Sequence, residues 1–438
     1  MDPVDTNVDT SVRPSAVRAF RAPDFRRFLG SRVLSILGLE MVSVAVAWQV
    51  YALTHRPIDL GYVGLAQFLP AVFLTLPAGH TADRFDRRHV VLLCHLAFGA
   101  CAGLLALLAF RKVETPLPIF AVLVLLGTAR AFNAPAAQAL MPSLVPHGDF
   151  QNAVAWNSSS FQVASVAGPA LGGGLYAVVG NAELVYLVAV GLAVVDAAVL
   201  LGVRTRTGRM EARATSWATV LAGVKYVWEN KVVLGSISLD LFAVLLGGAI
   251  ALMPVFAQDV LHTGAWGLGL LRAAPAVGAG IVGLSLAVRP LTRRVGRTML
   301  LGVAIFGATI VAFGLSRSLW LSLIILVVMG GSDMLSVFVR LTLVQISPPP
   351  EMRGRVNAVN MLFIGASNEL GEFESGLTAQ WLGPVRAVVA GGAGTLLVVL
   401  AWTRLFPELR RVDRLPSDAP RQQTEAMATA IEAAAPIP

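Results

Sequence analysis

Apolar runs fill this chain from Phe28 to Phe406. Divided at charged residues and at Pro or Gly punctuation, they form twelve segments with approximate limits 28–54, 60–79, 89–110, 117–141, 154–179, 183–203, 232–257, 268–288, 298–316, 319–342, 357–382 and 385–406. The stretch 232–257, VVLGSISLDLFAVLLGGAIALMPVFA, exceeds the roughly 18–20 apolar residues that cross a bilayer. Only 14% of all residues are charged, against 56% hydrophobic. A soluble domain carries about 25% charge, so the polar residues here are too few to face water all round. The pattern predicts an all-α membrane protein with twelve transmembrane helices in a lipid bilayer.

A long polar break, residues 204–231, separates the sixth segment from the seventh. It divides the chain into a polar N-terminal segment (1–27), a six-helix bundle (28–203), the linker (204–231), a second six-helix bundle (232–406) and a polar tail (407–438) expected to be disordered. The halves echo each other: Gln151-Asn152-Ala153-Val154 opens the fifth segment and Val356-Asn357-Ala358-Val359 the eleventh. DRFDRRHVVLL after the second segment has a weaker partner, RRVGRTMLLG, after the eighth. Two pseudo-symmetric six-helix bundles with a cytoplasmic connector are the architecture of carriers built from repeated halves.

A formal charge of +8 would suit nucleic acid if the basic residues formed one face. Instead they sit in short segments between apolar runs, which argues against a nucleic-acid partner. With both termini inside, 25 of the 34 Lys and Arg lie on the cytoplasmic side and five, Arg56, Arg111, Lys112, Arg317 and Arg386, on the other. The excess of positive charge on the inner side therefore predicts cytoplasmic termini. The first 27 residues lack an apolar stretch ending in a small-residue cleavage site, so no cleavable signal peptide is expected. Cys94 and Cys101, seven apart in one segment, read as core packing and carry no metal-ligand pattern.

The sharpest motif is GHTADRFDRR, residues 79–88. It resembles the cytoplasmic loop between spans two and three of the major facilitator superfamily, G-x-x-x-D-[RK]-x-G-[RK]-[RK]. Gly79, Asp83, Arg84, Arg87 and Arg88 match, while Asp86 stands at the second glycine, so the turn there must tolerate a side chain. Gly79 would let two helices approach closely. Asp83 would take helix N-terminal amides or an arginine of the other half, latching the cytoplasmic face. The plainer reading is an arginine cluster that only sets orientation. In the fifth segment, Gly168, Pro169, Gly172 and Gly173 are similar to the G-P-x-x-G-G core of the superfamily's antiporter motif, with Ala155 and Ala164 at two upstream glycine positions. Proline bends the helix and glycine admits a neighbour; ordinary small-residue packing explains the same residues.

Over residues 20 to 406 the chain resembles the enterobactin-exporter branch of that superfamily, through LSILGLEMVSVAVAWQVYALT, LAQFLPAVFLTLPAGHTADRFDRR and MRGRVN (352–357). The resemblance implies a secondary transporter that exports a small organic molecule, drug-like or siderophore, in exchange for protons by alternating access. A dedicated siderophore exporter is the narrower version. It implies a monomer in the bacterial inner membrane, with no cofactor and no metal.

Seven carboxylates fall inside the segments, away from their ends: Glu40, Asp196, Asp240, Asp333, Glu369, Glu372 and Glu374. Opposing them are Arg130, Arg272 and Arg340. A charge at the bilayer centre costs about 2.5–3.5 kcal/mol on insertion scales, so idle charges there are not expected. If each of these arginines takes one acid, about four acids remain. A buried carboxylate with no cation escapes its desolvation by binding a proton. Glu369, Glu372, Glu374, Glu40, Asp240 and Asp333 are therefore candidate proton carriers. Glu369 and Glu372 share a helix face and Glu374 points elsewhere. The alternative pairs these glutamates with Arg340 or with arginines of the cytoplasmic half.

The first span of this superfamily faces a central cavity, which makes Glu40 a substrate contact or proton site, with a helix–helix hydrogen bond as the alternative. Arg130, in GTARAFNAP, could pair with an acid or attract an anion such as a catecholate. Trp48, Phe161 and Asn368 complete the cavity candidates. Asp196 is expected to snorkel or to hold a neighbouring helix, and His95 reads as a satisfied core histidine. A membrane-embedded enzyme is disfavoured: the chain has no G-x-S-x-G and no H-E-x-x-H, and its three lysines lie outside the spans. Gly172-Gly173-Gly174 lacks the Lys-Ser or Lys-Thr of a phosphate loop.

Overall fold

The computed structural model describes residues 18–204, 217–289, 291 and 293–413. The described residues form fifteen α-helices: α1 (Pro23–Thr54), α2 (Pro57–Arg84), α3 (Arg87–Phe110), α4 (Leu117–Leu140), α5 (Phe150–Val179), α6 (Glu183–Leu201), α7 (Trp217–Glu229), α8 (Lys231–Leu246), the single turn α9 (Met253–Val255), α10 (Gly264–Val288), α11 (Val295–Leu315), α12 (Leu319–Ile346), α13 (Pro350–Leu382), α14 (Pro384–Leu405) and α15 (Pro407–Arg411). Proline opens α1, α2, α13, α14 and α15, where a missing N–H costs nothing because the first turn has no acceptor for it. Gly180 (φ 78°) closes α5, and Gly383 (φ 83°) makes the corner between α13 and α14.

Ten helical stretches among the described residues are long and apolar enough to cross a membrane. They take in α1, the first part of α2, α3 to α6, α10 to α12 and α14. The seventh and eleventh expected spans are the exceptions. Segment 232–257 is not one continuous helix: α8 ends at Leu246, the chain turns through Gly247–Leu252, and α9 runs into a π-helical turn, Phe256–Val260. The break has a packing cause. A Cβ on Gly248 would strike Ser375 and the Gly371 backbone of α13, and one on Gly247 would strike Ile310 and Phe306 of α11. α13 is continuous over 33 residues, but its three mid-helix glutamates lower its apolarity.

Other boundaries shift for identifiable reasons. α1 starts at Pro23, five residues before the expected segment; residues 1–17 lie outside the described ones. The linker contains α7, which rests on α13 where Gly223 meets the Arg355 backbone; residues 205–216 lie outside the described ones. The tail is helical over Pro407–Arg411, with Leu409 fully buried and the Gly296 N–H donating to the Val412 carbonyl at 3.0 Å. Residues 414–438, expected to be disordered, lie outside the described ones.

The largest buried apolar cluster draws only on residues 19–203. A second joins Val44, Ala47, Tyr51 and Leu60 to residues between Ala249 and Val388. One end of the molecule carries the basic loops; there the Arg88 Nη2 donates to the Leu201 carbonyl (2.7 Å) and Arg27 Nη1 to the Gly202 carbonyl (2.7 Å). At the opposite end two seams are drawn tight by glycine. Along α2 and α13, a Cβ on Gly376 would come within 3.0 Å of the Pro57 and Gly61 backbone, and one on Gly61 would reach Phe373. Along α5 and α10, Gly173 and Gly269 face each other backbone to backbone. Toward the basic end α2 and α13 part, and Gly365 has nothing within 4 Å of where its Cβ would be.

Candidate functional site

Where the α2–α13 seam ends, a cavity of about 330 Å³ opens between α1, α2, α4, α5, α10 and α13. Its charged lining is Glu40 on α1, Arg130 on α4, Arg272 on α10, and Glu369 and Glu372 on α13. Small residues set the positions of these side chains. Gly168 leaves room for Glu40, because a Cβ there would run into the Glu40 side chain. Gly64 does the same for Glu369 and Glu372, whose Oε2 atoms converge on its bare face. Gly127 packs against the Gln67 backbone and brings α4 onto α2, so that Arg130 Nη1 donates to Gln67 Oε1 at 3.0 Å. Pro169 lines the cavity beside Ser165. The glycine–proline segment of α5 thus shapes the wall opposite the glutamates.

Charge in this cavity is balanced at a distance. Arg272 and Arg130 act electrostatically on Glu40 and on Glu372. None of Glu40, Glu369 and Glu372 forms an ion pair within 4.0 Å among the described residues. Arg272 Nη1 instead donates to Ser43 on α1 at 2.6 Å, and its Nε is buried without a partner. An arrangement of three acids and two guanidiniums, none in contact, can take up a further positive charge without breaking an existing pair.

A second cavity of about 410 Å³ adjoins the first and shares Gln67, Arg130 and Glu369 with it. Beyond those three its walls are mostly apolar, with Phe68, Ala71, Val72, Ala131, Ala134, Pro135 and Met361. It lies where α2 and α13 separate.

The remaining intramembrane charges are used elsewhere. Asp240 on α8 accepts from Arg340 Nη1 on α12 at 2.6 Å, both side chains buried, and Asp333 lies about two turns from Arg340 on the same helix, within its electrostatic reach. Arg340 therefore serves α8 and α12 rather than the glutamates of α13. Glu374 is not on the cavity wall and accepts from Thr378 Oγ1 at 2.6 Å. Asp196 and His95 form a fully buried pair at 2.7 Å, and Ser31 donates to the same carboxylate, tying α1, α3 and α6 together. Trp48, Phe161 and Asn368 are off the walls of both cavities. Trp48 instead packs edge-on to Tyr176 and against the second buried cluster.

In the motif loop, the departure at Asp86 has a structural role: φ is −62°, and its carboxylate accepts from the Arg88 N–H as the N-cap of α3. Arg87 is buried and donates to the Ala139 carbonyl at 3.1 Å, fixing the loop to α4. Gly79 meets nothing within 4 Å, so the close approach expected of it does not occur in this conformation. Asp83 makes no hydrogen bond or ion pair among the described residues.

Gln67, Gly64, Ser43 and the placement of Arg272 were not legible as site features. Glycine spacing on α2, at 61 and 64, against Gly371 and Gly376 on α13 was the available signal.

The transmembrane secretion effector family, by its sequence profile, matches residues 14–433. The enterobactin exporter EntS of Citrobacter koseri is 29% identical over 400 residues, covering 90% of this chain and 94% of that protein. EntS of Escherichia coli O81 is 29% identical over 402 residues, with the same coverage. Among solved structures, a bacterial homologue of the human lysosomal transporter Spinster, inward-facing and unoccupied, superposes with a TM-score of 0.69 at 14% identity, covering 89% of this chain and 98% of that one. The nucleoside transporter NupG superposes with a TM-score of 0.66 at 14% identity, covering 87% and 99%. At such identities the two structures establish likeness of fold.

Proposed function

The chain belongs to the major facilitator superfamily, as a multi-pass membrane transporter of the enterobactin-exporter-like branch, and from that premise we propose that it exports a small organic molecule in exchange for protons by alternating access. The observation that carries this reading is the set of three cavity glutamates with no ion-pair partner. Each group can be charged or protonated without a salt bridge having to break first, as a carrier that cycles between proton and substrate requires.

In this reading the chain crosses the membrane twelve times. The broken α8–α9 segment is the seventh crossing and α13 the eleventh, and two six-helix bundles, 28–203 and 232–406, rock about the cavity. The basic end is cytoplasmic, by its excess of Arg and Lys, and faces open while the glycine seams hold the other end shut. Asp83 and Arg84 would engage across the halves only when the basic end closes. The substrate is drug-like or a siderophore; the names of the EntS relatives favour the second.

The test uses everted membrane vesicles carrying the protein, energised to an inside-acid pH gradient and offered either ethidium or a catecholate chelator. Gradient-dependent accumulation that nigericin abolishes is expected. Glu369→Gln combined with Glu372→Gln should retain folding and lose coupled accumulation. Accumulation that survives both nigericin and the double change would remove proton coupling from the account.

A further inference from the structure

We propose that the outer face of α7 is a lipid-binding surface: Leu221, Val224 and Trp228 insert into the headgroup layer of the leaflet at the basic end, beside exposed Lys and Arg side chains that favour anionic phospholipids. This requires only that the chain spans a bilayer and is independent of how transport is driven.

Three sectors divide the surface of α7. Toward the protein lie Gly223, where a Cβ would strike the Arg355 backbone, and Val227, 3% exposed in a cluster with Val233, Val344 and Val356. Tyr226 shares that side, its hydroxyl donating to the Ser347 carbonyl at 3.2 Å. At 3.6 residues per turn, Leu221, Val224 and Trp228 share an arc of roughly 60° on a different side, and they are 64%, 38% and 73% exposed. Lys225 and Glu229, both exposed and 3.9 Å apart, follow on the flank beyond. A helix surrounded by water has no use for a large apolar sector between its buried face and its charged flank. A helix lying in a membrane surface does, with protein on one side, the acyl-chain boundary on the next and water on the third.

The depth of α7 agrees. Trp266, Trp320 and Trp381 stand exposed at the sealed-end tips of α10, α12 and α13, where indole settles at a membrane interface. Between Trp320 and Ser347, the residue that Tyr226 bonds, the chain of α12 rises about 40 Å at 1.5 Å per residue. The hydrocarbon core is about 30 Å thick, and the bilayer about 40–45 Å with its headgroups. Tyr226 and α7 therefore lie at the opposite headgroup layer, not in the water beyond it. Only Asn230 separates α7 from α8, whose Lys231 begins the descent into the core. Charge at this level suits phosphate. Lys231, Arg353 and Arg355 are exposed there with Lys225, and the two lysines are offset by Glu229 and Glu408 at 3.9 Å. Arg353 and Arg355, on the first turns of α13, have no carboxylate partner among the described residues, which leaves their charge to anionic headgroups.

The experiment reads Trp228 in the full-length protein reconstituted into vesicles, as the difference in fluorescence between the unaltered chain and Trp228→Phe. In phosphatidylglycerol brominated at the upper acyl carbons, that emission should fall at least about twofold, while aqueous acrylamide should quench it at least about threefold less than free tryptophan. In brominated phosphatidylcholine the loss should be smaller, and about 1 M salt should remove the difference between the two lipids. Arg353→Gln combined with Arg355→Gln should remove it as well. Leu221→Glu should lift the face off the lipid, so that bromolipid quenching falls and acrylamide quenching rises, with thermal unfolding in detergent unchanged because the side chain is exposed. Free access of acrylamide without bromolipid quenching would put this face in water and overturn the lipid surface. Protection from both quenchers would mean that protein covers it, a second copy of this chain included, and would overturn it equally. Quenching that Leu221→Glu leaves unaltered would do the same. Equal quenching in the two lipids, or no effect of the arginine pair, would overturn the preference for anionic headgroups.

Discussion

At the scale of single residues, the molecule separates charges that work in pairs from charges that do not. Asp240 and Arg340 are in contact and buried, with Asp333 close behind. Arg340→Met leaves two carboxylates with no cation and should lower stability by about 3–5 kcal/mol, read as a fall in thermal unfolding temperature in detergent. Adding Asp240→Leu should recover most of the loss, because apolar side chains replace the pair; no recovery would mean that Arg340 stabilises the fold some other way. Which acids lie inside apolar segments could be read directly from the chain, since each interrupts a hydrophobic run. Which arginine each acid faces could not, because a helix face is known only once its neighbours are. Arg130, Arg272 and Arg340 look alike in sequence, yet one donates to Gln67, one to Ser43 and one to Asp240.

Among the elements, the glycines distinguish helices that touch through side chains from helices that touch through backbone. Most helix limits followed from hydrophobic length, which a bilayer imposes. The break at Gly247–Leu252 did not, since an apolar run through a glycine pair reads the same whether helical or turned. Nor did the docking of α15, because a five-residue helix held by Leu409 and two backbone bonds leaves almost no periodic trace. The seam between α5 and α10 gives the prediction at this scale. Gly173→Leu forces a side chain into the Gly269 backbone and should push the sealed end apart. Cysteines placed near Gly180 and Gly264 should then react faster with a membrane-impermeant maleimide. Gly174→Leu, next door but facing open space, should leave that rate unchanged. Equal effects from both would show that the seam is not what closes this end.

Over the whole molecule, the two sides of the chain are joined at the sealed end by a bond no apolar pattern announces: Tyr51 at the close of α1 donates to Asp259 in the π-helical turn. His55, packed edge-on to Tyr51, stands beside it. Tyr51→Phe keeps the ring and removes the donor; because Asp259 is exposed and water can take the donor's place, the loss should be about 0.5–1.5 kcal/mol. Relative to the unaltered protein, the balance should move toward forms open at that end, measured as a greater distance between spin labels on the loops after α1 and after α9. Asp259→Asn, which can still accept from the tyrosine, should move it less. An unchanged distance distribution in Tyr51→Phe would remove this bond from the gate.

The carboxylates of Glu369 and Glu372 occupy the point where the α2–α13 seam stops, against a glycine that offers them no side chain. Whatever sits between them is therefore gripped at the crotch of a fork, with one tine on each part of the chain. The size and hydration of an occupant there would bear on the angle between the two helices as well as on the charges.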